Sequence, residues 1–378
     1  MMQKNREEIQ KAKRIVIKIG TSVLTQKGKD LHIPTFERLS REMGRLIQKG
    51  LELVLVSSGA IAAGKNRLKI KNSEWTIPQK QAAAAIGQSR LMQTYEQSFA
   101  KQRIQLAQIL LTQNDLADRT RFLNAKHTLS TLLKNKVLPI INENDSVIVD
   151  EIKVGDNDNL SASITSLIDA DLLILMTDTE GLYEGNPKTN PQAKLIEIVD
   201  QMDQKIFNLA SDQAGELGVG GMATKVKAAE KAISFGVPTI IANGFREGIL
   251  DLILKGESVG TLFVPQKNRL ASRKHWIIHT LKPKGSLQID SGAKKALLES
   301  GKSLLPSGIL KIKGNFSIGD AVEILDEKNL SLAQGLVSYD SKELEKIKGK
   351  NTSEIESILG YKYYDEVIHR DDLVLLKK

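Results

Sequence analysis

The sequence predicts an α/β protein: a sandwich built on a mainly parallel sheet, followed by a compact, mostly β domain. Three observations predict it. From Arg14 to about Pro265, short continuous apolar runs alternate with helical stretches, as in parallel strands buried on both faces. After Pro265 the alternation stops, and short strands and turns take over. The length, 378 residues, gives two domains, or three, at about 150 residues each.

Taken in order, residues 1–13 form a basic extension with no apolar h-region, and Glu7 and Glu8 argue against a transit peptide. RIVIKI (14–19) is the first strand. A helix follows over IPTFERLSREMGRLIQKG, then the strand LELVLV (51–56) and a helix over PQKQAAAAIGQSRLMQTYEQSFA. Further strands are IQLAQILL (104–111), VLPII (137–141), DLLILM (171–176) and VPTIIA (237–242), the last preceded by the helix MATKVKAAEKAISFG. Several of these helices end at glycine, the residue that closes a helix most readily. Residues 14–265 thus form one α/β domain. A basic linker, 266–282, contains His275, Trp276 and His279. The remainder, 283–378, alternates the strands GSLQID, GILKIKGNFSIGDAVEIL, LAQGLVSYD and DLVLL with the helices SGAKKALLES and TSEIESIL.

Composition excludes several chemistries. The chain has no cysteine, so it holds no disulfide scaffold, zinc finger, iron–sulfur centre or thiol nucleophile. It has no run of about 18 apolar residues, so no membrane span is expected, and a soluble, cytoplasmic protein is. The net charge of +9 invites a nucleic-acid reading, but its distribution weakens that reading. Residues 1–14 hold five bases against two acids, and 266–280 hold four bases and no acid. Residues 281–378 carry 16 bases and 15 acids. Neither domain is broadly basic, and both runs read as a solvated tail or linker.

In open α/β sheets, ligands bind beyond the carboxyl ends of the strands. The strands here hand over to Lys18-Ile19-Gly20, Ser57-Ser58-Gly59, Asn142-Glu143-Asn144-Asp145 and Thr177-Asp178. Lys18 sits in an otherwise apolar strand, where an ammonium needs an anion unless the strand is an edge and the side chain snorkels. Gly20 allows close backbone approach to a ligand. The run Gly218-Val219-Gly220-Gly221-Met222-Ala223-Thr224-Lys225 leads directly into a helix, whose free N–H groups suit phosphate oxygens. Lys225 then falls in the first turn, where the macrodipole disfavours a cation, and a bound anion would resolve the conflict. Asp156-Asn157-Asp158-Asn159 exceed what one helix cap requires. No Walker A motif occurs, the glycine run is no dinucleotide fingerprint, and the five histidines form no metal-ligand set. His369-Arg370-Asp371-Asp372 mimics a protein-kinase loop, but no glycine-rich loop or D-F-G accompanies it. Two lysines, a glycine loop at a helix start and several Asp/Asn residues indicate phosphoryl transfer from a nucleotide. The absence of a general base fits an acceptor already ionised at pH 7, such as a carboxylate.

The segments VIKIGTSVL, SSGAIAAG, INENDSV, IKVGDNDNLSA, TDTEGLY and GGMATK, in this order, resemble the glutamate 5-kinase branch of the amino acid kinase family. The tail, with GAKKALLESGKSLLPSGI and GNFSIGDAVEI, resembles the PUA domain carried by many bacterial members. The resemblance implies a three-layer αβα sandwich of the amino acid kinase fold and a PUA-like β barrel. It also implies ATP- and Mg2+-dependent phosphorylation of the γ-carboxylate of L-glutamate, the first step of proline synthesis. Matched residue by residue, Lys18 and Lys225 contact the transferring phosphoryl group, and Asp158 orients them. Ser58, Gly59, Asn142, Asp145, Asp156 and Asn157 bind glutamate. Gly20, Thr177, Asp178 and Val219, Gly220, Gly221, Met222, Ala223, Thr224 and Lys225 bind ATP. Val219 stands where a small polar residue is expected, which removes one hydroxyl contact. No metal ligand is assigned directly. Proline as inhibitor, a homodimer or homotetramer, and hand-over of product to a glutamyl phosphate reductase are further implications. The alternative is another kinase of the same family, acting on N-acetylglutamate, aspartate, carbamate or UMP, against which the PUA-like tail and IKVGDNDNLSA weigh. RNA binding by the tail comes after it, and the tail's near-neutral charge weighs against that.

Overall fold

A computed structural model describes residues 2–26, 30–65, 67–68, 75–147, 157–187, 189–212, 221–266 and 281–376, with the backbone alone for 2–5 and 119. The linker residues His275, Trp276 and His279 lie outside the described residues. The chain falls into two compact units, residues 1–117 with 128–266, and residues 118–127 with 267–378. No described helix is long and apolar enough to cross a membrane.

The first unit is built on eight strands: β1 (Arg14–Ile19), β2 (Glu52–Ser57), β3 (Leu106–Leu111), β4 (Leu138–Glu143), β5 (Leu172–Thr177), β6 (Ile198–Val199), β7 (Thr239–Asn243) and β8 (Thr261–Phe263). They lie in the order β3-β4-β2-β1-β5-β7-β8-β6. Neighbours from β3 to β7 are parallel, and β8 turns antiparallel to β7. The six strands expected from apolar runs are all present, β1 with the expected bounds and the other five shifted by a residue or two at their ends. β6 and β8, of two and three residues, are too short to leave a periodic signal.

The central strands β1, β2, β4 and β5 are buried almost throughout because helices cover both faces. The helix Ile33–Gln48 turns Phe36, Leu39, Met43 and Leu46 to the core. The helix Ile77–Ala100 starts at a Thr76/Gln79 capping box. It approaches the short helix Ala60–Lys65 so closely that a Cβ on Gly87 would lie 1.8 Å from the Ala60 carbonyl oxygen. A Cβ on Gly64 would lie 1.9 Å from that of Ala83. These two glycines make the contact sterically possible.

The basic residues 1–14 are expected to be solvated, and Arg6 departs from this. It lies in the helix Met2–Ile9 and is 5% exposed. Its guanidinium donates to the carbonyls of Glu257 (2.6 Å), Val259 (3.1 Å), Glu197 (3.2 Å) and Gly260 (3.3 Å). Those four carbonyls need donors, which composition alone does not show.

The second unit carries a five-stranded sheet: β9 (Gly285–Ile289), β10 (Ile309–Gly314), β11 (Ala321–Leu325), β12 (Ser331–Leu336) and β13 (Leu373–Leu375), in the order β10-β9-β11-β12-β13. Every pairing is antiparallel except β9 with β11. Leu287, Val322, Ile324, Tyr339 and Ile368 lie in its core. The helix Ser291–Ser300 runs from an Asp290 cap to Gly301, which adopts φ 56°. A further helix, Ser341–Ile347, carries no long apolar pattern. Its signal is the Asp340/Glu343 capping box.

Candidate phosphoryl-transfer site

Parallel strands end on one side of their sheet, so β1, β2, β4, β5 and β7 deliver their terminal residues to a common rim. Lys18 projects from β1, between β2 and β5, so the edge-strand alternative does not apply. It is 4% exposed. Its Nζ lies 2.6 Å from Asp158 Oδ1. The other oxygen of Asp158 faces Lys225 Nζ at 3.3 Å and accepts from the Thr224 hydroxyl at 2.7 Å. Asp158 sits in the first turn of the helix Asn157–Leu167, and Lys225 in that of the helix Met222–Ser234. The anion that offsets Lys225's unfavourable place at a helix start is Asp158.

This triad is nearly dry, with all three side chains at most 5% exposed. Burial pushes the Asp158 carboxyl up, but Lys18 and Lys225 outweigh burial and hold it at about 2. Asp158 is therefore ionised throughout the neutral range and serves as a counter-ion, not a base. One carboxylate thus lies between two ammonium groups. Gly221 is the extended N-cap of the helix Met222–Ser234, and the Thr224 hydroxyl also reaches its carbonyl at 2.8 Å. A methyl on Gly20 would stand 3.8 Å from Lys18 Nζ.

A second cluster adjoins the first through neighbouring Asn157. Its Nδ2 donates to Ser58 Oγ (3.2 Å) and Asn142 Oδ1 (3.0 Å), while its Oδ1 accepts from the Glu143 N–H (3.2 Å). Asn142 Oδ1 also accepts from the Glu143 N–H (2.9 Å), and Asn142 Nδ2 donates to Gln88 Oε1 (2.7 Å). Gly59, with φ 102°, turns the chain from Ser58 into the helix Ala60–Lys65, a conformation that favours glycine. Asp145 is 7% exposed, and its Oδ1 has no hydrogen-bond partner among the described residues. Burial, helped by the charge of Glu143, raises its carboxyl to about 7.

Thr177 and Asp178 end β5, with the Thr177 hydroxyl donating to Asp178 at 3.1 Å. Asn243 holds Glu180 at 2.7 Å, and Thr261 accepts from the Leu182 N–H at 2.8 Å. These two steadying contacts, and Gln88, were not among the residues expected from sequence. Gln88, Asn243 and Thr261 lie outside the motifs read from the sequence, whereas Glu180 and Leu182 fall within TDTEGLY. Asp156, Val219 and Gly220 lie outside the described residues. Among the described residues no group of three or more His, Asp or Glu side chains is placed to hold a metal.

A parallel α/β sheet with two buried lysines clamped on one carboxylate beside a helix start defines a phosphotransferase. Similarity to known proteins gives the family. Residues 13–243 match the amino acid kinase family and 285–359 the PUA domain. Over 368 residues the chain is 51% identical to a glutamate 5-kinase of Trichlorobacter lovleyi, covering 97% of this chain and 98% of that one. It is 50% identical over 365 residues to a glutamate 5-kinase of a Thermoanaerobacter species, with the same coverage. Among solved structures, a UMP kinase from Bacillus anthracis aligns with 68% of this chain and 97% of its own, at 18% identity and a TM-score of 0.47. The chain belongs to the amino acid kinase family, in its glutamate 5-kinase branch, and carries a PUA domain.

Proposed function

We propose that the protein transfers the γ-phosphoryl group of ATP to the γ-carboxylate of L-glutamate, giving an acyl phosphate and ADP. The observation that carries this reading is the Lys18–Asp158–Lys225 triad. A γ-carboxylate is ionised at pH 7, so attack needs no proton removal. The phosphorus–oxygen bond to the β-phosphate breaks as the bond to the carboxylate oxygen forms, and ADP leaves with the electron pair. The two lysines stabilise the charge spread over the transferring group, and Asp158 fixes where they stand. The N–H groups that open the helix Met222–Ser234 receive nucleotide phosphate oxygens, and Thr177 and Asp178 lie at the same rim.

In this reading Asp145 takes the α-ammonium of glutamate. Magnesium accompanies the nucleotide. Both Asp158 oxygens are already engaged by Lys18, Lys225 and Thr224, which fits an ion carried by phosphates and water in place of a carboxylate cage. Inhibition by proline and self-assembly complete the proposal.

Hydroxylamine traps an acyl phosphate as a hydroxamate. With ATP and magnesium, L-glutamate is expected to give hydroxamate and N-acetylglutamate none, because acetylation removes the ammonium that Asp145 would hold. Equal turnover of the two would overturn the assignment. Proline added to the same assay is expected to suppress the signal.

A further inference from the structure

Counting donors and acceptors around Asn157 changes what this side chain offers a substrate. Its amide has two N–H donors, and both are spent on Ser58 Oγ and Asn142 Oδ1. Its oxygen is occupied by the Glu143 N–H. Asn142 has little more to spare: its oxygen accepts twice, and one of its two N–H groups goes to Gln88 Oε1. The network therefore has a fixed polarity. Gln88 must present its oxygen to Asn142, which turns its Nε2 the other way.

That Nε2 is buried and has no hydrogen-bond partner among the described residues. A buried donor left unmade is costly, so the arrangement calls for an acceptor beyond the described residues, which a bound ligand can supply. Gln88 lines one cleft with Asp145, Glu143, Asn144, Ser146 and Gln108. Asp145 brings the complementary lack to this cleft, since its Oδ1 is an unpartnered acceptor on a side chain more than nine-tenths buried. Two residues of one cleft lining thus bring to it one unmet donor and one unmet anionic acceptor. An α-amino acid head group supplies the matching pair, a carboxylate and an ammonium, from a single carbon atom.

We infer that Gln88 is a substrate-reading residue whose amide N–H donates to the α-carboxylate of the amino acid held by Asp145. The inference rests on the glutamate-phosphorylating reading and deepens it. Asn157 then acts through Ser58 and Asn142, and the direct donors to the carboxylate are Gln88 Nε2, the Ser58 hydroxyl and the second N–H of Asn142. Gln88 thereby sets the preference for α-amino acids over amines that lack the α-carboxylate.

The test compares binding of L-glutamate and 4-aminobutyrate, which keeps the ammonium and the distal carboxylate but has no α-carboxylate. Calorimetry on the full chain gives both affinities for the wild type and for Gln88→Met, which keeps the side-chain length and loses the amide. The preference for L-glutamate is expected to shrink about ten-fold or more. A purely structural role would weaken both ligands by the same factor, and that result, or an unchanged preference, would overturn the inference. If Gln88→Met fails to melt cooperatively, Gln88→Glu replaces it. The carboxylate still accepts from Asn142 but repels an α-carboxylate, so it too is expected to lower the preference. Hydroxamate formation by the wild type is followed in parallel. Glutamate binding without hydroxamate overturns the functional reading and leaves Gln88 in place. Hydroxamate formation with an unchanged Gln88→Met preference overturns the inference about Gln88 alone.

Discussion

At the scale of single residues, the site sets a buried ion-paired cluster beside one carboxyl that titrates near neutrality. Lys18, Lys225 and Asp158 form the cluster, and alanine at either lysine is expected to lower kcat by about 10²-fold or more while the KM for glutamate moves little. Steady-state hydroxamate kinetics on folded variants check this. Asp145 is the titrating group. Its pKa is raised to about 7 by burial and by Glu143, so it is ionised, and able to hold an ammonium, only as pH rises through 7. The KM for glutamate is therefore expected to fall between pH 6 and 8, a trend absent in Asp145→Asn. Stability runs the other way. The folded protein favours the protonated acid, so the cost of Asp145 is absent below about pH 4 and grows to its full size above 7. Asp145→Asn is thus expected to raise Tm at pH 8 and leave it unchanged near pH 4. Lys18 was legible in the sequence because a charge within an apolar strand demands a partner, and Asp158 because four Asp and Asn residues in a row exceed what one helix cap requires. Gln88 was not, because within QAAAAIGQ a glutamine reads as helix surface, and only the polarity of the folded amide network shows its free N–H.

At the scale of elements, the parallel strands were readable as continuous apolar runs, and their ends gave most of the site. The contact between helices Ala60–Lys65 and Ile77–Ala100 was not. Their glycines meet across the interface, and single glycines inside a helical pattern read merely as weak spots. Ser58 and Gly59 open the first helix, and Gln88 belongs to the second, so this contact sets the spacing between Ser58 and Gln88. A methyl at Gly87 would collide with the Ala60 carbonyl at 1.8 Å. Gly87→Ala is expected to cost about 1–3 kcal/mol in a denaturant melt. It is also expected to raise the KM for glutamate several-fold while that for ATP stays within two-fold, because the displaced helices carry no part of the triad.

At the scale of the whole molecule, the net charge of +9 led the sequence reading to a solvated N-terminal run, and Arg6 corrected it. One guanidinium among four carbonyls binds the helix Met2–Ile9 to the turn before β8 and to the residue before β6. Arg6→Ala would leave these carbonyls without their charged donor, and a loss of about 2 kcal/mol or more in urea unfolding of the full chain is expected. Arg6 and Gly260 are 254 residues apart in sequence. On a ribosome adding 5–20 residues per second, the arginine emerges roughly 13–50 s before its last carbonyl is made. Late in that interval β1, β2, β4 and β5 have all been made and can assemble around one another, while the β8–β6 edge does not yet exist. The helix Met2–Ile9 thus gains its berth only after the strands that follow it in the sequence, and its docking marks the moment at which translation has delivered the kinase unit to Gly260.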